Sequence, residues 1–168
     1  MMLQLQFNDR VALSSCNRPA FSSDRGGDPF NLDRFLSAQR AIYDDALDEL
    51  RSGQKEGHWM WFIFPQIQGL GSSDMAKRYA IESLQEANAY LHHPVLGPRL
   101  SECCKAILTI GSHSATDIFG RPDDAKLKSS MTLFVLAAGT DSIFYKVLAK
   151  YFGGQMDART IEAVAEST

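Results

Sequence analysis

The sequence predicts an all-α protein, folded as a multihelical single domain with no significant sheet. From residue 28 onward, apolar residues recur at three- and four-residue spacing instead of alternating, which is the period of helices that bury one face. Residues that begin and end helices punctuate this pattern, and no repeat period or pair of alternating strands is visible. With 168 residues, 45% of them hydrophobic, the chain can bury a sizeable core.

Residues 1 to 27 are predicted to form a loosely ordered N-terminal extension, and residues 28 to 168 a single helical domain. The extension contains Ser14-Ser15, Ser22-Ser23 and Gly26-Gly27, and few apolar residues follow Leu13. Such a composition buries too little apolar surface to offset the entropy lost when a chain becomes ordered. We therefore place no functional residue in this segment.

Composition predicts a soluble, cytoplasmic protein that binds neither nucleic acid nor a membrane. The formal charge is −3, from 17 basic and 20 acidic residues that are interspersed, so no strongly basic surface is expected to attract a phosphate backbone. The longest apolar stretches, 59–64 and 133–138, are far shorter than the roughly 18 residues that span a bilayer. The three cysteines include the adjacent pair Cys103 and Cys104, a pattern typical of a reducing compartment.

The first helix is predicted to begin at Asn31 and to end at Gly53. Asn31 can accept the free N–H groups of a first helical turn, and Gly53 can adopt the left-handed conformation that ends a helix. Between them, the apolar residues fall on one face at helical spacing. These residues are Leu32, Phe35, Leu36, Ile42, Tyr43, Ala46, Leu47 and Leu50.

Both tryptophans of the chain and two of its ten phenylalanines occur in the run from His58 to Gln66. Burial of such large apolar side chains contributes roughly 1.5–3 kcal/mol each, so the run is predicted to lie in the core or to line a pocket. It is apolar on every side, which fits a buried helix or a buried strand, and Pro65 limits either one. We favour a short central helix.

Further helices are predicted wherever a capping residue precedes an apolar face and a glycine or proline follows it. They begin near Met75, at Ser83, at Pro94 or Pro98, at Ser114 for a single turn, at Pro122, at Asp141 and at Asp157. The first two of these are expected either to join or to be separated by a kink.

The chain also carries a series of motifs that are unusual in composition and order. They are Asp28-Pro29-Phe30, the run from His58 to Gln66, Gly69-Leu70-Gly71, Tyr79-Ala80-Ile81, the stretch from Glu86-Ala87 to Tyr90-Leu91-His92-His93-Pro94, Ile118-Phe119-Gly120 and the stretch from Lys126 to Phe134. Together they resemble the domain of unknown function 1810 family of small, mostly bacterial proteins, over roughly residues 28 to 160. The resemblance implies a multihelical fold with two buried central helices. It implies no established activity, so no catalytic residue is transferred from the family.

The aromatic run has two interpretations, which are core packing and the wall of a pocket. Aromatic side chains bury the largest areas of any residue type, which favours core packing. However, His58 and Gln66 bracket the run, and the indole N–H groups of Trp59 and Trp61 need acceptors if they are buried, so polar groups must converge there. We therefore take His58, Trp59, Trp61 and Gln66 as candidate ligand-binding residues.

Gly69, Gly71, Ser72 and Ser73 form a predicted turn before a helix and are further candidate ligand-binding residues. Free backbone N–H groups at a helix start, and glycines without side chains, allow an anion such as phosphate to approach closely. The turn has neither the spacing of a dinucleotide-binding fingerprint nor the Gly-Lys-Ser/Thr ending of a P-loop. A simple turn is therefore the alternative interpretation.

Candidates for catalysis and metal binding are few. His58 is a candidate acid or base, with a carboxylate or lysine from another helix, such as Asp123 or Lys126, as its partner. Ser130 lies in no Gly-x-Ser-x-Gly pattern, so a serine nucleophile is disfavoured. No Cys-x-x-Cys or His-Glu-x-x-His spacing is present, so neither a metal nor a cofactor is expected.

Three functions remain open at this point. The favoured one is a non-enzymatic binding module, with an aromatic-walled pocket for a small anionic or nucleotide-like ligand or for a partner peptide. The alternatives are an enzyme of unassigned class that uses His58 as acid or base, and a scaffold or interaction protein without a pocket. A concave site that exposes parts of His58, Trp61 and Gln66 would favour the first two functions, whereas burial of all three side chains would exclude both.

Overall fold

The computed structural model describes residues 27 to 167, and within that range the chain forms ten α-helices and no strand. The helices are α1 (Asp33–Gln39), α2 (Tyr43–Ser52), α3 (Met60–Ile63), α4 (Asp74–Arg78), α5 (Leu84–His92), α6 (Leu96–Thr109), α7 (Ala115–Phe119), α8 (Asp123–Ala138), α9 (Ile143–Phe152) and α10 (Ala158–Glu166). The all-α prediction is confirmed. The predicted N-terminal extension lies outside the described residues except for Gly27.

The helix expected from Asn31 to Gly53 is instead two helices, and this prediction is wrong. The chain turns between α1 and α2 because α1 packs against α3 whereas α2 packs against α6. Gln39 fixes the end of α1, since its buried side-chain amide donates to the Phe62 carbonyl at 2.8 Å. Ile42, expected to point inward, is exposed in the turn.

The cap at the start of α1 also differs from the prediction. Asn31 has a φ of 50°, and its side chain does not cap α1. Asp28 takes that role, because its carboxylate accepts the Asp33 N–H at 2.9 Å.

Apart from α6, which begins at Leu96 with Pro98 in its first turn and Pro94 outside it, the other predicted helix starts are confirmed, with one exception. Ser83, Ser114 and Asp157 each accept, through the side chain, the backbone N–H three residues further on. The exception is Asp141, since α9 begins directly after Ser142. Side-chain capping works over three residues of chain, which is why sequence alone could locate it.

The two buried central helices are α8 and α3. α8 packs against α5, α7, α9 and α10, and every residue of 129–135 is buried. α3 lies within the aromatic run, and its Met60, Phe62 and Ile63 are buried whereas Trp61 is partly exposed. The short helix predicted for this run is therefore present, and it places one indole at the surface.

One isolated parallel bridge, between Ile67 and Ile81, closes the loop that carries α4. The Gln68 N–H donates to the Ile81 carbonyl and the Ile81 N–H donates to the Gln66 carbonyl, both at 2.8 Å. The two ends of this loop are thereby fixed side by side against the core.

Two further features of the described residues concern the cysteines and the length of the helices. Cys103 and Cys104 are free thiols buried along α6, and burial raises the pKa of Cys103 to about 12, so both behave as small apolar residues. Each helix formed by residues 27 to 167 is too short or too polar to span a bilayer.

Candidate functional site

The two tryptophans of the aromatic run have different surroundings. Trp59 is 1% exposed, and its indole N–H donates to Glu49 Oε2 at 2.8 Å. Burial would raise the pKa of Glu49, but hydrogen bonds from the Gly57 and Glu56 N–H groups and from the Trp59 indole hold that pKa below its usual value. Trp59 is therefore a core residue whose polar atom is satisfied inside the fold.

Trp61 lies within α3, is partly exposed and lines a surface cleft, here called the Trp61 cleft. The cleft has a volume of about 530 Å³. One wall is Gln66 with residues 70–73 and Ala76, and the other is formed by the first turns of α8 and the start of α10. Five predicted site residues meet here: Trp61, Gln66, Gly71, Ser72 and Ser73.

The remaining predicted site residues lie elsewhere. Gly69 lines an adjoining cleft of about 360 Å³ that also contains Glu82 and Glu162. His58 is exposed, and it lines neither of these two clefts. The structure therefore does not bring His58 into the cleft that holds Lys126, its suggested catalytic partner.

The backbone conformation and packing of the turn explain its two glycines. Gly69 has a φ of 93°, a conformation that residues with a side chain rarely adopt. A Cβ atom at Gly71 would lie 2.6 Å from the Ala76 Cβ, so only glycine lets the turn pack on α4. Ser73 caps α4 by accepting the Ala76 N–H at 3.1 Å. The turn thus builds one wall of the cleft and starts a helix of only five residues.

The opposite wall holds the charged residues that sequence reasoning did not place in a site. They are Lys126 and Lys128 of α8, Asp157 at the cap of α10, and Arg159 in its first turn. The sequence suggests Lys126 only as a partner of His58, and nothing local in it indicates that α8 and α10 meet beside Trp61.

Lys126 is held in place within this wall. Its ammonium lies 2.9 Å from Asp123 Oδ1 and 4.6 Å above the centroid of the Trp61 ring. A cation above an indole face is attracted by the negative potential of the ring. Asp157, the acidic residue in the lining, is already occupied, because its Oδ2 accepts hydrogen bonds from the Thr160 N–H and hydroxyl and from Ser129.

The part of the chain that the structure describes contains no group of three or more His, Cys, Asp or Glu side chains placed to hold a metal ion. The cleft lining within that part contains no histidine or cysteine. The lysine, arginine, amide and hydroxyl groups that line the cleft can hold a negatively charged group by charge and hydrogen bonds.

Comparisons with known proteins agree with the fold and assign no activity. The sequence matches a family described as "Protein of unknown function (DUF1810)" over residues 29–164. A similar solved structure is that of the conserved hypothetical protein Rv1873 from Mycobacterium tuberculosis, with 54% sequence identity and a TM-score of 0.80, covering 82% of this chain and 99% of that chain. No curated protein matches. Because the family match extends over most of the sequence, the chain belongs to the DUF1810 family, as its aromatic and lysine-serine motifs led us to expect.

Proposed function

We propose that the chain is a non-enzymatic binding module that holds a small anionic ligand in the Trp61 cleft. The observation that carries this proposal is the charge of the lining, where Lys126, Lys128 and Arg159 stand against the carboxylate of Asp157. Among the described residues, neither Lys128 nor Arg159 forms a salt bridge. Neither charge is therefore held in an ion pair, and Arg159 also lines the adjoining cleft beside Glu82, Glu162 and Glu166.

The size and polar groups of the cleft support the same function. A volume of about 530 Å³ lies within the range of roughly 300–1,000 Å³ that is usual for small-molecule sites. Gln66, Ser72 and Ser73 line the wall opposite the lysines, and their amide and hydroxyl groups can donate hydrogen bonds to phosphate or carboxylate oxygens. Charge from one side and donors from the other suit an anion.

The position of Lys126 favours an anion over a stacked base as the recognised feature. Its ammonium lies 4.6 Å from the centroid of the Trp61 ring and so occupies one face of the indole on which a planar group could stack. Negative charge, rather than an aromatic ring, is therefore the property that we expect all ligands of this cleft to share.

The first experiment is a thermal-shift panel of inorganic phosphate, pyrophosphate, sugar phosphates, nucleotides and di- and tricarboxylates. We expect the melting temperature to rise with one or more anions and not with the uncharged counterparts, such as adenosine against adenosine monophosphate. The rise should shrink in high salt, because screening weakens exposed charge interactions.

The variant Lys128→Gln/Arg159→Gln tests whether binding occurs in this cleft. We expect it to lose most of the ligand-induced shift, whereas Lys105→Gln, which removes an exposed charge on α6 outside the cleft, should keep it. A panel without any stabilising anion, or a double variant that still responds like the wild type, would contradict the proposal.

A further inference from the structure

The two tryptophans are linked through a lysine–aspartate–lysine arrangement that we call the Asp123 cluster, made of Lys55, Trp59, Trp61, Asp123 and Lys126. Asp123 Oδ2 lies 2.8 Å from the Lys55 ammonium and Oδ1 lies 2.9 Å from the Lys126 ammonium. Each lysine in turn lies above an indole ring, Lys55 at 4.9 Å from the Trp59 centroid and Lys126 at 4.6 Å from that of Trp61. One carboxylate therefore positions two cations over two rings.

The two lysines differ in what else they bind. The Lys55 side chain is only 7% exposed, and its ammonium also donates to the Gly57 carbonyl at 2.6 Å. The Lys126 side chain is 23% exposed and lines the Trp61 cleft. An ammonium has three protons, and Asp123 is the acceptor recorded for Lys126 among the described residues. Lys55 is thus committed to the interior, whereas Lys126 keeps donor capacity toward the cleft.

The two lysines of the cluster also differ in their electrostatic surroundings. Two ammonium groups share the Asp123 carboxylate, and the Glu49 carboxylate, which accepts the Trp59 indole N–H, also acts electrostatically on Lys55. Lys55 thus interacts with two carboxylates in the interior, whereas the more exposed Lys126 lines the cleft. Burial would raise the pKa of Asp123, but the hydrogen bonds and charges of Lys55 and Lys126 hold that pKa below its usual value, so the carboxylate stays ionised near neutral pH.

We propose that Asp123 is a positioning residue for anion binding, which holds the Lys126 ammonium at the cleft wall while Lys55 neutralises its own negative charge. This inference rests on the proposed function. It explains how a carboxylate beside the cleft can strengthen the binding of an anion. A ligand anion then meets a lysine that is already ordered, so less side-chain entropy is lost when it binds.

The direction in which Asp123→Asn changes the affinity for an anion distinguishes positioning from simple electrostatics. Replacing Asp123 with Asn removes a negative charge close to the cleft. If charge alone mattered, Asp123→Asn would bind an anion more tightly. If Asp123 positions Lys126, the same variant binds the anion more weakly, by up to roughly fivefold, which is the upper end of the range for loss of an exposed charge pair.

The experiment titrates pyrophosphate into the full chain and follows the indole N–H signals in nitrogen-15 correlation spectra. The chain has two tryptophans, so Trp61→Phe assigns both signals. We expect Asp123→Asn to weaken pyrophosphate binding and to shift the Trp61 signal even without ligand. Because loss of the partner of Lys55 threatens folding, Asp123→Glu is the second variant; it keeps the charge, moves the carboxylate by one methylene, and should also weaken binding.

Asp124→Asn is the matched control. It removes the same charge one residue away, where the carboxylate accepts the Thr116 hydroxyl at 2.6 Å and lies outside the cleft lining. We expect its pyrophosphate affinity and Trp61 signal to resemble those of the wild type. If the wild type binds pyrophosphate and both Asp123 variants bind it equally well or better, the positioning role is overturned and the proposed function stands. If the wild type binds no anion of the panel, the proposed function fails and this inference fails with it.

Discussion

Two hydroxyl groups on α8 lie two residues apart in the core and have opposite surroundings. The Thr132 hydroxyl donates to the Lys128 carbonyl at 2.8 Å and accepts the Asp157 N–H at 2.9 Å. The Ser130 hydroxyl is buried and has no hydrogen-bond partner among the described residues. A buried polar group without a partner costs free energy, whereas a paired one is costly to remove.

We therefore expect Ser130→Ala and Thr132→Val to have opposite effects on stability. Ser130→Ala should leave the free energy of unfolding unchanged or raise it by up to about 1 kcal/mol, because no hydrogen bond is lost. Thr132→Val keeps the shape but leaves the Asp157 N–H unpaired, so the free energy of unfolding should fall by about 1–3 kcal/mol. Urea denaturation measures both variants, and a clear loss in Ser130→Ala would mean that this hydroxyl has a partner.

Residue-scale features were predictable where the partners are close in sequence. Ser83 and Ser114 each cap a helix through the N–H three residues further on, and such a spacing is visible without a structure. Sequence reasoning also required an acceptor for the buried Trp59 N–H. That acceptor is Glu49 on α2, which could not be identified because the packing of α2 beside the aromatic run depends on the whole fold.

At the scale of elements, α5 and α6 approach so closely that one position must be glycine. A Cβ atom at Gly97, in the first turn of α6, would lie 2.0 Å from the Leu91 carbonyl oxygen of α5. Helix propensity alone would favour alanine over glycine here by about 1 kcal/mol. The contact between the two backbones outweighs that preference.

Gly97→Ala should accordingly destabilise the protein, although helix propensity alone favours alanine at this position. We expect the free energy of unfolding to fall by about 1–3 kcal/mol, because α6 has to move away from α5. Gly111→Ala is the control, since no atom lies within 4 Å of the added Cβ and its φ is not positive; its stability should be unchanged or slightly higher. Chemical denaturation of both variants tests this, and equal stabilities would show that α6 shifts at no cost.

Elements were predictable where the apolar period and the punctuation agree, as for α8 between Pro122 and Gly139. The break between α1 and α2 was not, because Arg40, Ala41 and Ile42 include neither glycine nor proline and are compatible with a continuous helix. The two walls of the cleft differ in the same respect, since one was predictable from the sequence and the other was not. The wall from Gln66 to Ser73 follows the chain and was identified, whereas the lysine wall depends on how α8 and α10 pack.

At the scale of the whole molecule, one arginine joins the first helix to the middle of the chain. Arg34 of α1 donates to Glu86 Oε1 at 2.5 Å and to the carbonyl groups of Arg78 and Ala80 at 3.0 and 2.7 Å. Glu86 is 2% exposed, and its other oxygen accepts the Glu82 N–H at 2.8 Å. Removal of the cation that pairs with a buried carboxylate strongly destabilises a protein, because the remaining charge is buried without a partner.

We expect Arg34→Met to lower the free energy of unfolding by about 3–5 kcal/mol. Arg34→Met/Glu86→Gln should recover part of that loss, because the second change removes the unpaired charge while keeping an acceptor. Arg51→Met is the control; its salt bridges to Asp48 and Glu102 are exposed, so it should cost about 1 kcal/mol or less. A double-mutant cycle measured by denaturation gives the coupling, and additive effects would show that Arg34 acts through its carbonyl contacts alone.

The parallel bridge between Ile67 and Ile81 separates the adaptable part of the cleft from the fixed part. Residues 68–80 leave and return at one point of the core, so this stretch can gain or lose residues at a small entropic cost, about 0.6 kcal/mol for each doubling of loop length. The lysines of the other wall stand on α8, whose backbone packs against four other helices. A residue inserted or deleted between these two points would reshape one wall of the cleft and leave the packing of α8 as it is.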